Sequence, residues 1–149
     1  MAVQPIPKGF HTVTPYLVVN NAAKVLDFLK RAFDAKENHR SLRPDGTIMH
    51  AQTKIGDSMI MIADGSDTHP AAPATLYLYV ADVDALYAQA VKAGGVSIME
   101  PTTMFYGDRN GGVKDPSGNQ WWIGTHVEDV SEAEMAKRSA AAAKAPQRG

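Results

Sequence analysis

The sequence predicts an α+β protein of two tandem βαβββ modules, and three observations carry that prediction. Residues 14–33 and 75–94 repeat one strand-then-helix pattern at an offset of 61 positions, pairing Thr14 with Thr75, Tyr16 with Tyr77, Leu17 with Leu78 and Val19 with Val80. The same offset carries Ile60-Met61-Ile62 onto Trp121-Trp122-Ile123, so one shift serves both ends of a unit of about 50 residues. In each copy a period-two strand passes through a capping residue, Asn21 or Asp82, into a helical stripe of period 3.6.

Taken in order, Met1 to Gly9 carries prolines at 5 and 7 and reads as an extended arm. In the strand Thr14 to Val19, Leu17 and Val19 share the aliphatic face that should meet the helix, with Thr14, Tyr16 and Val18 opposite. The helix after Asn21 puts Val25, Leu26, Leu29 and Phe33 on one stripe. A charged stretch, a Pro44-Asp45-Gly46 turn, a strand Thr47 to Lys54, a Gly56-Asp57 turn and a strand Ser58 to Ala63 complete the first βαβββ unit. Asp64 to Pro73 is a polar connector.

The second unit opens at Thr75, and its helix carries Val83, Leu86, Tyr87, Ala90 and Val91 before Gly94-Gly95 ends it. A short strand Val96 to Met99 leads to an expected long loop, Pro101 to Gly112, then the turn Asp115-Pro116-Ser117-Gly118-Asn119 and a last strand Gln120 to Thr125. Ser131 and Glu134 form a capping box for a final helix through about Ala143, and the alanine-rich end from Ala140 is expected to fray. The expected organisation is an arm over 1–9, one domain over 10–130 (modules about 10–64 and 74–127), and a helix with a disordered tail over 131–149.

Composition narrows function. Fifteen basic against sixteen acidic residues give a net charge of −1, which provides no electrostatic pull toward nucleic acid or an anionic membrane, and neither is expected as a partner. The absence of cysteine excludes disulfides, a thiolate nucleophile and cysteine-ligated metals. With no apolar run of about 18 residues and no apolar leader, a soluble cytoplasmic protein is the expectation.

The tandem units, with Asp82-Val83-Asp84-Ala85-Leu86 after the second unit's first strand and Asp115-Pro116-Ser117-Gly118-Asn119 before the last, resemble the vicinal oxygen chelate superfamily of glyoxalase I, extradiol dioxygenases and bleomycin-resistance proteins. The stretches Thr14 to Val19, Ile48 to Ala51, Ile55 to Ser58, Phe105 to Arg109 and Thr125 to Asp129 resemble its PhnB-like branch. The resemblance implies a concave mixed-sheet cavity between the modules with the helices outside, and a homodimer, with the arm and final helix as candidate interface elements. It also implies metal-ligand positions at Thr14, Met61, Thr75 and Trp122. Two hydroxyls, a thioether and an indole are not the donors of a catalytic divalent site, so no metal and no other cofactor is expected.

In that fold, strand alternation turns Thr14, Tyr16, Met59, Met61, Thr75, Tyr77, Tyr79, Gln120 and Trp122 toward the cavity, a lining suited either to a small hydrophobic or aromatic molecule or to simple filling of the space. Tyr106 and Arg109 are further ligand-binding candidates, with loop anchoring the alternative for Arg109. His50 is the candidate acid–base residue; His126 suits a cap or interface. The leading expectation is a metal-independent binding protein. A lyase or isomerase using His50 as base, with Tyr77 or Arg109 stabilising negative charge, remains open, as do a relocated metal site at His50, His126 and Glu128 and a regulatory interaction module.

Overall fold

The structure, a computed structural model, describes residues 2–144. Two four-stranded mixed sheets and three helices make up the α+β fold. The first module runs β1 (Tyr16–Val19), α1 (Ala22–Phe33), β2 (Lys36–Leu42), β3 (Ile48–Ile55) and β4 (Ser58–Asp64), with strand order β1-β4-β3-β2. The second runs β5 (Thr75–Tyr79), α2 (Val83–Lys92), β6 (Val96–Thr103), β7 (Asp108–Lys114) and β8 (Gln120–His126), in order β5-β8-β7-β6. Helix α3 (Glu132–Lys144) follows.

The 61-residue offset is a register in space. Tyr16 pairs with Met61 across the parallel β1–β4 ladder, and Tyr77 pairs with Trp122 across β5–β8. Even the helix starts are duplicated. Asp64, at the end of β4, accepts the Ala22 N–H at 2.7 Å, and Thr125, its counterpart on β8, accepts the Val83 N–H at 2.9 Å. Each closing strand thus satisfies a backbone donor that a helix N-terminus leaves without an intrahelical partner. The caps Asn21 and Asp82 accept from Lys24 N–H and Ala85 N–H.

The aliphatic faces pack as the alternation requires. Leu17, Val19, Ile60 and Ile62 are buried beneath Val25, Leu26, Leu29 and Phe33 of α1. Helices α1 and α2 pack on one another: Phe28 lies against Gly95, the Phe33 and Trp121 rings stand 5.5 Å apart, and Gln89 of α2 donates to the Arg31 carbonyl at 3.0 Å. Both modules therefore share one core on the helical side. Among the described residues, their opposite sheet faces carry no helix.

Two expectations need correction. The charged stretch after α1 is itself strand β2, an edge strand with six of seven residues exposed, so it has no buried face to generate alternation. The expected loop Pro101 to Gly112 is mostly hairpin: β6 continues to Thr103 and β7 starts at Asp108. Gly112 misleads because its missing side chain is a packing requirement. The Trp122 ring lies over it, where a Cβ would stand 2.9 Å away. At the end of the chain, α3 starts with Ser131 accepting the Glu134 N–H and continues through Lys144, past the expected onset of fraying; the rest of the expected tail, 145–149, lies outside the described residues.

Candidate ligand-binding site

Strand β7 alternates between two tasks. Asp108, Asn110 and Gly112 face away from α2, and Arg109 between them reaches α2, where its fork makes two bonds of 2.9 Å to Asp84 and one of 3.3 Å to Thr103. Arg109 is occupied as a loop and strand anchor. Asp108 lies opposite His126 in the β7–β8 register and is only 5% exposed. One of its oxygens accepts from both the Tyr77 and Tyr79 hydroxyls at 2.9 Å, and the other bonds His126 Nδ1 at 2.9 Å. His126 Nε2 bonds Asp129 at 2.7 Å.

Beneath the tyrosines, Asn110 donates to the Tyr77 hydroxyl at 3.1 Å and the Tyr106 hydroxyl at 2.7 Å. Asn110 is 2% exposed, and its Oδ1 has no partner among the described residues. An unpaired buried acceptor is uncommon in a packed interior. Tyr77 lies on Gly124, where any Cβ would collide with its ring and hydroxyl. The Tyr77 and Tyr79 rings stand 5.0 Å apart, 42% and 68% exposed.

The electrostatics follow from these bonds. Burial raises the Tyr77 phenol to about 12, with the Asp108 carboxylate adding to the rise, so it stays protonated and donating. The Asp108 bond raises Tyr79 as well. Burial would push Asp108 up, but the bonds from His126, Tyr79 and Tyr77 outweigh it and hold the carboxyl below its ordinary 3.8. Bonds to Asp108 and then Asp129 raise His126 above 6.5. His126 therefore contributes stability fully below pH 6.5, and the contribution is lost as pH rises through its folded-state value. Melting curves of the wild type and His126→Gln should differ most near pH 6 and converge toward pH 9, each value approximate; a difference independent of pH contradicts the assignment.

The other expected site residues lie in separate places. Tyr16, Thr75 and Tyr77 line a groove of about 480 Å³ between β1, β4 and β5, with Ser58, Ile60 and Leu76. It adjoins a groove of about 660 Å³ whose walls include Phe33, Ile60, Tyr77, Tyr79 and Leu86. Thr14 and Met61 instead border a hollow of about 540 Å³ lined also by Ile6 of the arm, Phe10 and Gln52. Gln120 bonds the Trp122 indole N–H at 3.2 Å. His50 stands between Tyr16, whose hydroxyl is 3.4 Å from Nδ1, and Gln52, whose amide nitrogen is 3.2 Å from Nε2. With that amide donating, Nε2 accepts and the ring proton sits on Nδ1, so neither nitrogen is idle. Asp108, Asn110 and Asp129 were not expected. Their signal was register, which places Asp108 beside His126 only once β7 is known to be a strand.

The implied metal positions do not fit a metal. Thr14 donates its hydroxyl to the His11 carbonyl, the Trp122 indole is itself a donor, and Met61 and Thr75 add a thioether and a hydroxyl. Among the described residues no group of three or more His, Cys, Asp or Glu is placed to hold an ion. No helix there is long and apolar enough to cross a membrane.

Residues 9–123 match the model of the Glyoxalase/Bleomycin resistance protein/Dioxygenase superfamily. The chain belongs to this superfamily. Proteins Mb0911c of Mycobacterium bovis and Rv0887c of Mycobacterium tuberculosis are each 36% identical over 134 residues, covering 83% of this chain and 88% and 79% of theirs. Among solved structures, TioX from Micromonospora sp. ML1 is similar at TM-score 0.64 and 20% identity, covering 81% of this chain and 100% of its own. A gene product of Arabidopsis thaliana, AT5G48480, is similar at 0.60 and 27%, covering 76% and 98%. A Bacillus cereus structure described as a putative 3-demethylubiquinone-9 3-methyltransferase, PhnB protein, is similar at 0.61 and 19%, covering 77% and 99%. The superfamily accounts for the architecture.

Proposed function

We propose that this chain is a metal-independent binding protein for a hydrophobic or aromatic small molecule, received in the inter-module cavity against the sheet face that carries the Tyr77 and Tyr79 rings. The observation that carries the reading is the use of Asp108. Its oxygens are taken by Tyr77, Tyr79 and His126, so the buried carboxylate serves to hold two exposed rings rather than to move a proton. His50 is similarly engaged at both nitrogens. What remains for a ligand is flat aromatic surface with restricted rotamers, which binds at low entropic cost. The metal-ligand positions offer no competing chemistry.

The motif stretches support a place in the PhnB-like branch. Pairing as a homodimer belongs to the same proposal, supported by β1 and β5 being edge strands of their sheets.

Fluorescence titration with the neutral aromatic probe N-phenyl-1-naphthylamine tests the reading, beside a thermal-shift screen of hydrophobic antibiotics and 2-oxo compounds. Tyr77→Ala and Tyr79→Ala should each weaken probe binding about tenfold, the worth of a lost aromatic contact. His50→Ala should leave affinity unchanged. No saturable binding, or binding indifferent to both tyrosines, overturns the reading.

A further inference from the structure

We infer that Arg138 of α3 is a positioning residue for the aromatic site, acting through the β6–β7 turn that carries Tyr106. This rests on the binding reading above and adds control of that site by α3.

Tyr106 belongs to the same cluster as Tyr77, because one amide nitrogen, that of Asn110, donates to both hydroxyls. Unlike Tyr77, it does not stand on a strand. It sits in the turn between β6 and β7, where the Met104 N–H donates to the Asp108 carbonyl at 2.7 Å and the Gly107 N–H to the Met104 carbonyl at 3.3 Å. Turns are the mobile parts of a hairpin, so a fixed Tyr106 needs a hold from outside.

That hold comes from the chain after β8. The Gly107 carbonyl accepts the Val127 N–H at 2.8 Å and the Glu128 N–H at 3.1 Å. Gly107 has a φ of 99°, and a Cβ there would run into the Glu128 carbonyl, so this segment lies directly on the turn. Arg138 then closes the arrangement. Its Nη1 donates to the Phe105 carbonyl at 3.1 Å and to Glu128 at 2.6 Å, Nη2 donates to the other Glu128 oxygen at 3.0 Å, and Nε donates to Glu134 at 3.1 Å. One planar fork ties together the turn, the segment leaving β8 and α3, a geometry that lysine does not reproduce.

Helix α3 adds little to the core. Among the described residues it buries no side chain, and none of its Cα atoms lies within 8 Å of a Cα in another helix or strand. The Arg138 and Glu128 side chains are 31% and 49% exposed, and ion pairs so exposed contribute little to stability. What the fork does fix is the carbonyl next to Tyr106. With that hold released, a ligand would itself have to order the Tyr106 ring on binding, which costs affinity.

Hydrogen exchange on the full chain reads the hold without a ligand. Arg138→Ala should speed exchange of the Met104 and Gly107 amides about tenfold while the amides of β5 and β8 keep wild-type rates, and melting should stay within a few degrees of wild type. Titration with N-phenyl-1-naphthylamine reads the consequence. Arg138→Ala should weaken binding about fivefold, the cost of ordering one more side chain. In a Tyr106→Ala background the same substitution should have no further effect, and Arg138→Lys should behave like Arg138→Ala. Unchanged exchange at the turn overturns the hold. Faster exchange with wild-type affinity, additive losses in the double variant, or full rescue by lysine overturns the positioning role and leaves the binding reading intact. No probe binding by the wild type overturns the binding reading and the positioning role together, and exchange at the turn still shows whether Arg138 holds it.

Discussion

Replacing Asp115 with alanine should lower the unfolding free energy by about 4 kcal/mol, a large share of the 5–15 kcal/mol typical of such a domain. The carboxylate is the hub of the Asp115-Pro116-Ser117-Gly118-Asn119 turn. One oxygen accepts the backbone N–H of Ser117 at 2.8 Å and of Asn119 at 3.0 Å; the other accepts the Asn119 amide at 2.8 Å and the Trp121 indole at 2.9 Å. Asn119 and Trp121 are fully buried, so alanine would leave both side-chain donors without water or partner. The damage spreads, because Asn119 Oδ1 accepts the Ala74 N–H at the entry to β5, and Trp121 packs on Phe33 of the other module. Urea unfolding should show a lower midpoint at unchanged slope, and Asp115→Asn, which keeps an acceptor, should cost less. A midpoint near that of the wild type would show that the turn does not organise the core.

Gly124→Ala should do the reverse, leaving stability nearly intact while abolishing aromatic-probe binding. The added Cβ would fall within the Tyr77 ring, 2.8 Å from its nearest carbons. Tyr77 is half exposed and can swing away, so the cost to folding is about 1 kcal/mol, at the low end for overpacking. The swing breaks the bonds to Asp108 and Asn110, and the paired ring surface goes with them. Thermal melting within a few degrees of wild type, beside a loss of N-phenyl-1-naphthylamine affinity of more than about tenfold, is the expected pair of results. Retained affinity would show that Tyr77 is not the platform.

What the sequence displayed was whatever the duplication and one-sided burial had written into it. β1, β4, β5 and β8 repeat at one offset, and the stripe of α1 is buried as its spacing required. β2 was obscured because an exposed edge strand of charged residues has no apolar period. β7 was obscured because Asp108-Arg109-Asn110-Gly111-Gly112 has a turn's composition, and its glycine at 112 makes room for Trp122, ten residues later. That single misreading hid the site. Without β7 as a strand, nothing sends Arg109 to Asp84 on one face or brings Asp108 and Asn110 beneath Tyr77 on the other. Tyr77 and Tyr106 were legible as aromatic candidates, but the carboxylate and amide that hold them were not, since their contacts depend on pairing between strands.

The central claim is that fixed tyrosines, and no metal, make the binding surface. It is tested most directly by titrating N-phenyl-1-naphthylamine into protein stripped with a chelator, then into the same protein supplied with zinc, nickel or manganese. The account predicts one dissociation constant throughout, lost on Gly124→Ala. Binding that disappears on stripping and returns with a stoichiometric ion would contradict it.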